Sequence, residues 1–189
     1  MQKSHGHASA NGEERELKFR CEDLSSLRER LIEAEAERVS ASIKEINWVL
    51  DRDGDLAGRG ELLRVRSQGT DARLTFKGPA RFEEGTKIRS EREVGVDDYE
   101  GILAIFRALG FEVSRRYEKF RETWRLGGVL VCLDHTPIGD FVEFEGSQAD
   151  RVAERFRFLP AEAERANYLD LYEAYRQEHP EAPEDMIFP

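Results

Sequence analysis

Glu14, Glu16 and Lys18 alternate along the run Glu-Arg-Glu-Leu-Lys, and residues two apart on a β-strand point to one face. Two carboxylates and an ammonium on one face are costly to bury unless something neutralises them. A divalent cation and a polyanion together would do so. Hard cations take carboxylate oxygens, and phosphate oxygens take ammonium and guanidinium donors. For any one such triplet, a solvated strand face is the plain alternative. Recurrence favours chemistry. Arg64 and Arg66 share a face of the run 62–68, Arg73, Thr75 and Lys77 one of 71–78, and Lys87, Arg89, Glu91 and Glu93 one of 87–94. Further on, Arg115, Tyr117, Lys119, Arg121 and Thr123 alternate, followed by Leu130, Cys132 and Asp134, then Phe141, Glu143 and Glu145.

The segments that carry these residues read as about eight strands and four helices. A helix is expected over 23–38, capped by Asp23 or Ser25, with Leu24, Leu27, Leu31 and Ala34 at helical spacing. Residues 39–50 regain strand character. Asp51, Asp53 and Asp55 resemble the start of a calcium loop, but Leu62 stands where its last ligand, a Glu, belongs, so the stretch reads as a turn. Gly69-Thr70-Asp71 and Gly127-Gly128 predict hairpins. Gly78-Pro79 ends a strand before an acidic loop, and a helix capped by Asp97 runs to Leu109, with Gly110 closing it. Ser147 opens another helix, Pro160 breaks it, and 161–177 is the last, its Tyr168, Tyr172 and Tyr175 stripe read as helix core. Trp48 and Trp124 read as packing. The end of the chain from His179, with three prolines, is expected to lie loosely on the surface.

Composition sets the frame. The chain of 189 residues reads as a leader (1–12), one domain (13–178) and a C-terminal tail (179–189). His5 and His7 fall in the leader, where they read as part of a polar tail. Net charge is −10, from 29 Lys and Arg against 39 Asp and Glu, which argues against nonspecific nucleic-acid binding or a membrane surface. It leaves an anionic ligand open, because the basic residues need only be concentrated in one place. No apolar run reaches the ~20 residues of a membrane span. Cys21 and Cys132 form no close pair, and a reducing, cytoplasmic setting follows. Leu62, Val65, Leu74, Phe76, Ile88 and Val94 offer an apolar face for helices to cover, while the opposite face gathers like charges. Strands that close into a barrel with a polar lumen would reconcile the two.

The order of these segments resembles the CYTH domain, or triphosphate tunnel metalloenzymes: thiamine triphosphatases, inorganic tripolyphosphatases, some RNA triphosphatases and class IV adenylate cyclases. Glu14-x-Glu16-x-Lys18 is similar to the family's ExExK signature. It is followed at family spacing by Arg64-Val-Arg66, Leu74-Thr-Phe-Lys77-Gly-Pro, Arg89-Ser-Glu91-Arg-Glu93 and Arg116-Tyr-Glu-Lys119-Phe-Arg121. Leu133-Asp134, Gly139-Asp-Phe-Val-Glu143-Phe-Glu145 and Asn167-Tyr168-Leu then complete it, over roughly residues 13–176.

The resemblance implies an α+β protein: an eight-stranded antiparallel β tunnel with a charged lumen, flanked by helices. It implies Mg²⁺ or Mn²⁺ as cofactor, and a triphosphate-containing small molecule as ligand. Glu14, Glu16, Glu91, Glu93, Asp134, Glu143 and Glu145 match metal-side positions. Lys18, Arg64, Arg66, Lys77, Arg89, Lys119 and Arg121 match phosphate-side positions, with Lys77, Lys18 and Arg121 as catalytic candidates. Family members form dimers, so a homodimer is implied in the same way. Val49 stands where many members have a Tyr, which in the thiamine triphosphatase branch works with the lysine matching Lys77. Arg165 is the nearest basic residue to the Tyr168 segment, where some members place a phosphate-binding lysine, and His5-Gly-His7 only approximates the His-Phe pair of many class IV cyclases. Three functions stay open: a metal-dependent triphosphate hydrolase, a class IV adenylate cyclase, and a non-catalytic polyphosphate- or nucleotide-binding module.

Overall fold

The computed structural model describes residues 12–189, so the leader's His5 and His7 lie outside the described residues. Nine strands form one antiparallel sheet: β1 (Glu13–Arg20), β2 (Glu37–Asp51), β3 (Leu62–Gln68), β4 (Asp71–Lys77), β5 (Arg81–Glu83), β6 (Thr86–Val96), β7 (Glu112–Leu126), β8 (Val129–Thr136) and β9 (Gly139–Glu145). Their order is β1-β9-β8-β7-β2-β3-β4-β6-β5, and a further pairing of β1 with β6 closes an eight-stranded barrel. Closure leaves no open edge between β1 and β6. The ninth strand is β5, in the region expected to be an acidic loop. It follows β4 along the same strand: Lys77 pairs with Glu91 and Arg81 with Ile88. Pro79 has no N–H for the ladder, so the strand breaks there and resumes.

Five helices lie on the outside: α1 (Leu24–Glu33), α2 (Asp55–Gly58), α3 (Tyr99–Ala108), α4 (Ala149–Arg155) and α5 (Tyr168–Glu178). Asp23 caps α1, accepting from the Ser25 and Ser26 N–H groups. That helix stops earlier than expected, where Glu35 takes φ +58 and the Ala36 N–H turns back to the Leu31 carbonyl. Asp98 rather than Asp97 caps α3, and Gly110 closes it at φ +84. The last helix is shorter than expected, beginning only at Tyr168 with Asn167 as its cap. Asp51 accepts from the N–H groups of Arg52, Leu56 and Ala57, so this carboxylate organises a turn and the short α2.

Alternate residues of the strands build two outer cores. Leu17, Phe19, Val131, Leu133, Val142 and Phe144 pack under α1 and α4 with Leu27, Leu31, Ala153 and Phe156. Leu63, Val65, Leu74 and Phe76 pack under α3, where Trp48 stacks on Tyr99. Two residues of the expected outer face behave otherwise. Leu62 shares the inward parity of Arg64 and joins a third cluster, and Val94 is 57% exposed because no helix reaches it.

The third cluster fills one end of the barrel interior. Val49, Tyr117 and Phe141 project from the strands and meet Tyr168, Leu171 and Tyr172 of α5, with Met186 from the C-terminal tail. The tail is docked, not loose. Met186 N–H donates to the Arg116 carbonyl at 3.1 Å, and its own carbonyl accepts from Glu118 N–H at 2.8 Å. This parallel bridge beside Tyr117 lies beyond the end of β8, where β7 has no other partner on that edge.

Candidate active site

The inward residues of all eight barrel strands line one cavity of about 370 Å³. Glu14, Glu16 and Lys18 of β1 lie opposite Arg64 and Arg66 of β3 and Lys119 and Arg121 of β7. Lys77, Arg89, Glu91, Glu93, Glu143 and Glu145 also face it. Thirteen of the fourteen residues singled out from the sequence thus share one enclosed space. The period of two and barrel closure explain why residues 130 apart in sequence meet. Asp134 is the exception. It points inward from β8 but is fully buried beneath the side chains that line the cavity, where it accepts from Lys119 Nζ (2.9 Å), Arg121 Nε and Nη2 (2.6 Å each) and Tyr168 Oη (2.7 Å). Its place is to aim two cations and a phenol.

The lumen is divided by sign. Across the β1–β9 ladder Glu16 faces Glu145 and Lys18 faces Glu143, with Glu14 two residues further along β1. This is the acidic side. Burial raises the Glu145 carboxyl, and Glu143, Glu14 and Glu16 add to it, bringing it to about 7 although Arg121 opposes. Burial would also raise Glu143, but Arg121, Lys119 and Lys18 hold it well below the usual carboxylate range. Arg64, Arg66, Lys119 and Arg121 make the basic side, on β3 and β7.

Most lumen charges are paired along the wall, with partners on the adjacent strand or the next but one. Lys77 Nζ donates to both Glu14 oxygens (2.7 and 2.8 Å) and lies 2.9 Å from Glu91. Arg89 Nε donates to Glu14 Oε2 at 3.0 Å, Lys87 holds Glu16 at 3.1 Å, and Arg66 and Arg73 hold Glu93 at 3.1 Å each. Arg121 donates to Glu143 as well as to Asp134. No three carboxylates converge as a metal-ion cage among the described residues, because these lysines and arginines hold them apart. The donors themselves suit a hard divalent cation, since Glu14, Glu16, Glu143 and Glu145 offer only oxygens and line one side of the cavity.

Four lumen groups stand outside the fourteen site candidates. Glu45 of β2 sits in the basic side. Burial would raise it, yet Arg66, Lys119 and Arg121 bring it down to about 2. Its Oε2 is among the buried atoms that have no hydrogen bond. Lys87 shares the face of Arg89 but not the motif. Tyr117 accepts from Arg64 Nη1 at 2.9 Å. Tyr168, read as helix core, is buried yet lines the cavity, with Lys18 Nζ 4.2 Å from its ring centre. Strand parity had already placed Lys87 and Tyr117 on the charged faces and was the available signal for Glu45; for Tyr168 the signal was the Asn167-Tyr168-Leu segment. Arg165 stacks on Phe82 on the outside instead, and Arg115 pairs with Glu184.

A closed antiparallel barrel with an apolar exterior under helices and a lumen of facing acids and bases defines a charged-tunnel β protein. A sequence model of the CYTH domain matches residues 12–167. The chain belongs to the CYTH family. It is 28% identical over 136 residues to a Methanocaldococcus jannaschii protein that carries the provisional name adenylate cyclase, a match covering 71% of this chain and 77% of that one. Among solved structures, a Vibrio parahaemolyticus protein with the same provisional name superposes with TM-score 0.75 at 20% identity, over 85% of this chain and 97% of the other. A provisionally named adenylyl cyclase from Hippeastrum, described as having a dominant triphosphatase activity, superposes with TM-score 0.67 at 19% identity, over 86% and 96%. At these identities the superpositions speak for the fold. Among the described residues no helix is long and apolar enough to cross a membrane.

Proposed function

We propose that the chain is a divalent-metal-dependent hydrolase of triphosphates, inorganic tripolyphosphate or an organic triphosphate, bound inside the tunnel. The observation that carries this reading is the internally paired lumen: Lys77, Arg89, Arg121 and Lys18 occupy the carboxylates. A triphosphate brings about four negative charges, which a low-dielectric cavity tolerates only with several cations at hand. When it enters with its metal ions, the ion pairs exchange. Lys18, Arg64, Arg66, Lys77, Arg89, Lys119 and Arg121 turn to phosphate oxygens, and Glu14, Glu16, Glu143 and Glu145, with Glu91 and Glu93 nearby, become free to hold Mg²⁺ or Mn²⁺. Such an ion neutralises phosphate oxygens and lowers the pKa of a bound water. Asp134 keeps Lys119 and Arg121 aimed at the substrate. Lys77, Lys18 and Arg121, three buried cations each paired with a lumen carboxylate, stabilise the charge that builds on the transferred phosphoryl group and its leaving oxygen.

Phosphate release from tripolyphosphate with Mg²⁺ or Mn²⁺ tests this. The expected result is metal-dependent turnover that Glu14→Ala removes. No release with either metal overturns it.

The adenylate cyclase reading is favoured by the name of the M. jannaschii relative. Against it, both aromatic residues that line the cavity, Tyr117 and Tyr168, belong to the cluster that fills one end. The exposed end offers Val39 and Ile43, so among the described residues no ring lines it there to stack a base. Cyclic AMP measured against orthophosphate from ATP separates the two readings.

A further inference from the structure

We propose that Glu45 is the release residue of the basic side: a fixed negative charge among the phosphate-side cations that keeps the tunnel from holding its polyphosphate products. This rests on the triphosphate reading above and deepens it, because it concerns what limits turnover at that site. Glu45 lies on β2, between β3 and β7, the two strands that carry the basic side. Lys119 stands directly opposite it across the β2–β7 ladder. Its carboxylate lines the cavity although the residue is only 1% exposed.

Distances set this carboxylate apart from one that builds the wall. Asp134 grips Lys119 and Arg121 with hydrogen bonds of 2.6 to 2.9 Å. Glu93 likewise accepts from Arg66 at 3.1 Å. Glu45 comes no nearer than 3.6 Å to Arg66 and 3.7 Å to Lys119, beyond hydrogen-bonding distance. Its Oε2 is buried with no hydrogen bond. The cations it faces are therefore aimed by other residues, and what Glu45 adds is charge. Burial would raise it, but Arg66, Lys119 and Arg121 bring it down to about 2, so it stays ionised near neutral pH.

That charge acts on whatever Arg66 and Lys119 bind. Two unit charges about 6 Å apart, at an effective dielectric constant of about 20, repel enough to change an equilibrium about 100-fold. Without Glu45 the basic side would grip pyrophosphate and orthophosphate, the products of triphosphate hydrolysis, more firmly. Tripolyphosphate has one more phosphoryl group to hold than pyrophosphate and tolerates the repulsion better. Product release limits turnover in many enzymes, and a fixed repulsion speeds it.

Calorimetry on the full chain with Mg²⁺ measures pyrophosphate binding by wild type, Glu45→Gln and Glu45→Asp. Glu45→Gln keeps the size and an acceptor oxygen but loses the charge, and it is expected to bind pyrophosphate about 10- to 100-fold more tightly. Glu45→Asp keeps the charge and is expected to stay within about threefold of wild type. On tripolyphosphate, Glu45→Gln should lower KM and kcat together and show a burst of orthophosphate in the first turnover. A merely structural role would not tighten product binding. Should Glu45→Gln fail to fold by circular dichroism, Glu45→Ala carries the same expectation. A folded charge-removing variant that binds pyrophosphate no more tightly than wild type overturns the proposal. So does a Glu45→Asp that binds as tightly as Glu45→Gln. Binding that tightens as expected, in a chain that releases no phosphate from tripolyphosphate, removes the hydrolase reading and leaves Glu45 as a brake on polyphosphate affinity.

Discussion

The same strands present two opposite solutions to burial, one on each face. On β1, Leu17 and Phe19 point outward into an apolar cluster closed by α1 and α4, while Glu16 and Lys18 point inward and are almost as buried. On β8, Val131 and Leu133 face out, Cys132 and Asp134 in. The outer face gains stability from area removed from water, about 25 cal/mol per Å². The inner face carries charges whose desolvation opposes folding, and pairing offsets it without surplus. A protein that only needed to fold would fill the lumen with apolar side chains. The difference teaches that the outer face holds the barrel, while the inner face carries the charge that the proposed triphosphate site needs.

That contrast can be broken at several points. The largest effect expected is on turnover from removing divalent cation. EDTA should abolish phosphate release while circular dichroism shows the fold unchanged; full activity in excess chelator would contradict an acidic side built for metal. Next, Lys77→Ala should lower kcat/KM on tripolyphosphate by about 10²- to 10³-fold. Its melting point should move little, since Glu14 keeps Arg89 and Glu91 faces the cavity. On the outer face the pattern reverses: Phe144→Ala should cost about 3–5 kcal/mol of stability in denaturant unfolding, with kcat of the folded fraction retained. A loss of kcat at full stability there would erase the distinction between the faces.

Smaller effects sharpen it. Glu45 is about 2 folded against an ordinary 4.5. Its folded value is depressed, so its contribution is present above pH 4.5 and is lost as pH falls from 4.5 toward 2. Glu45→Gln should therefore flatten acid unfolding in that window, measured by fluorescence. The smallest effect belongs to the uncovered outer residue Val94, 57% exposed: Val94→Lys should shift stability by no more than about 0.5 kcal/mol.

How much of this was legible beforehand varies with the kind of signal. Strand parity put Lys18, Arg64, Lys77, Lys119 and Glu143 on inward faces, because a period of two is a local property of the backbone. Gly69-Thr70-Asp71 and Gly127-Gly128 gave the hairpins, where the left-handed glycines (φ +59 in each turn) are themselves the local cause. The start of α5 was misjudged by several residues: Ala161 through Ala166 are helix-compatible, but Asn167 supplies the cap that sets the first turn. The docked tail was missed because its prolines and charges describe its own preferences and say nothing of the vacant edge of β7 that Met186 fills.

By itself, then, the sequence determined which side chains alternate along each strand, where turns fall, and that charges of both signs recur at every second position. Only the tertiary structure decided that β1 meets β6, that Asp134 lies beneath the cavity lining while Glu45 faces the cavity, and that α5 and the tail fill one end. Those are contacts between residues far apart in the chain, and no local preference of the backbone encodes them.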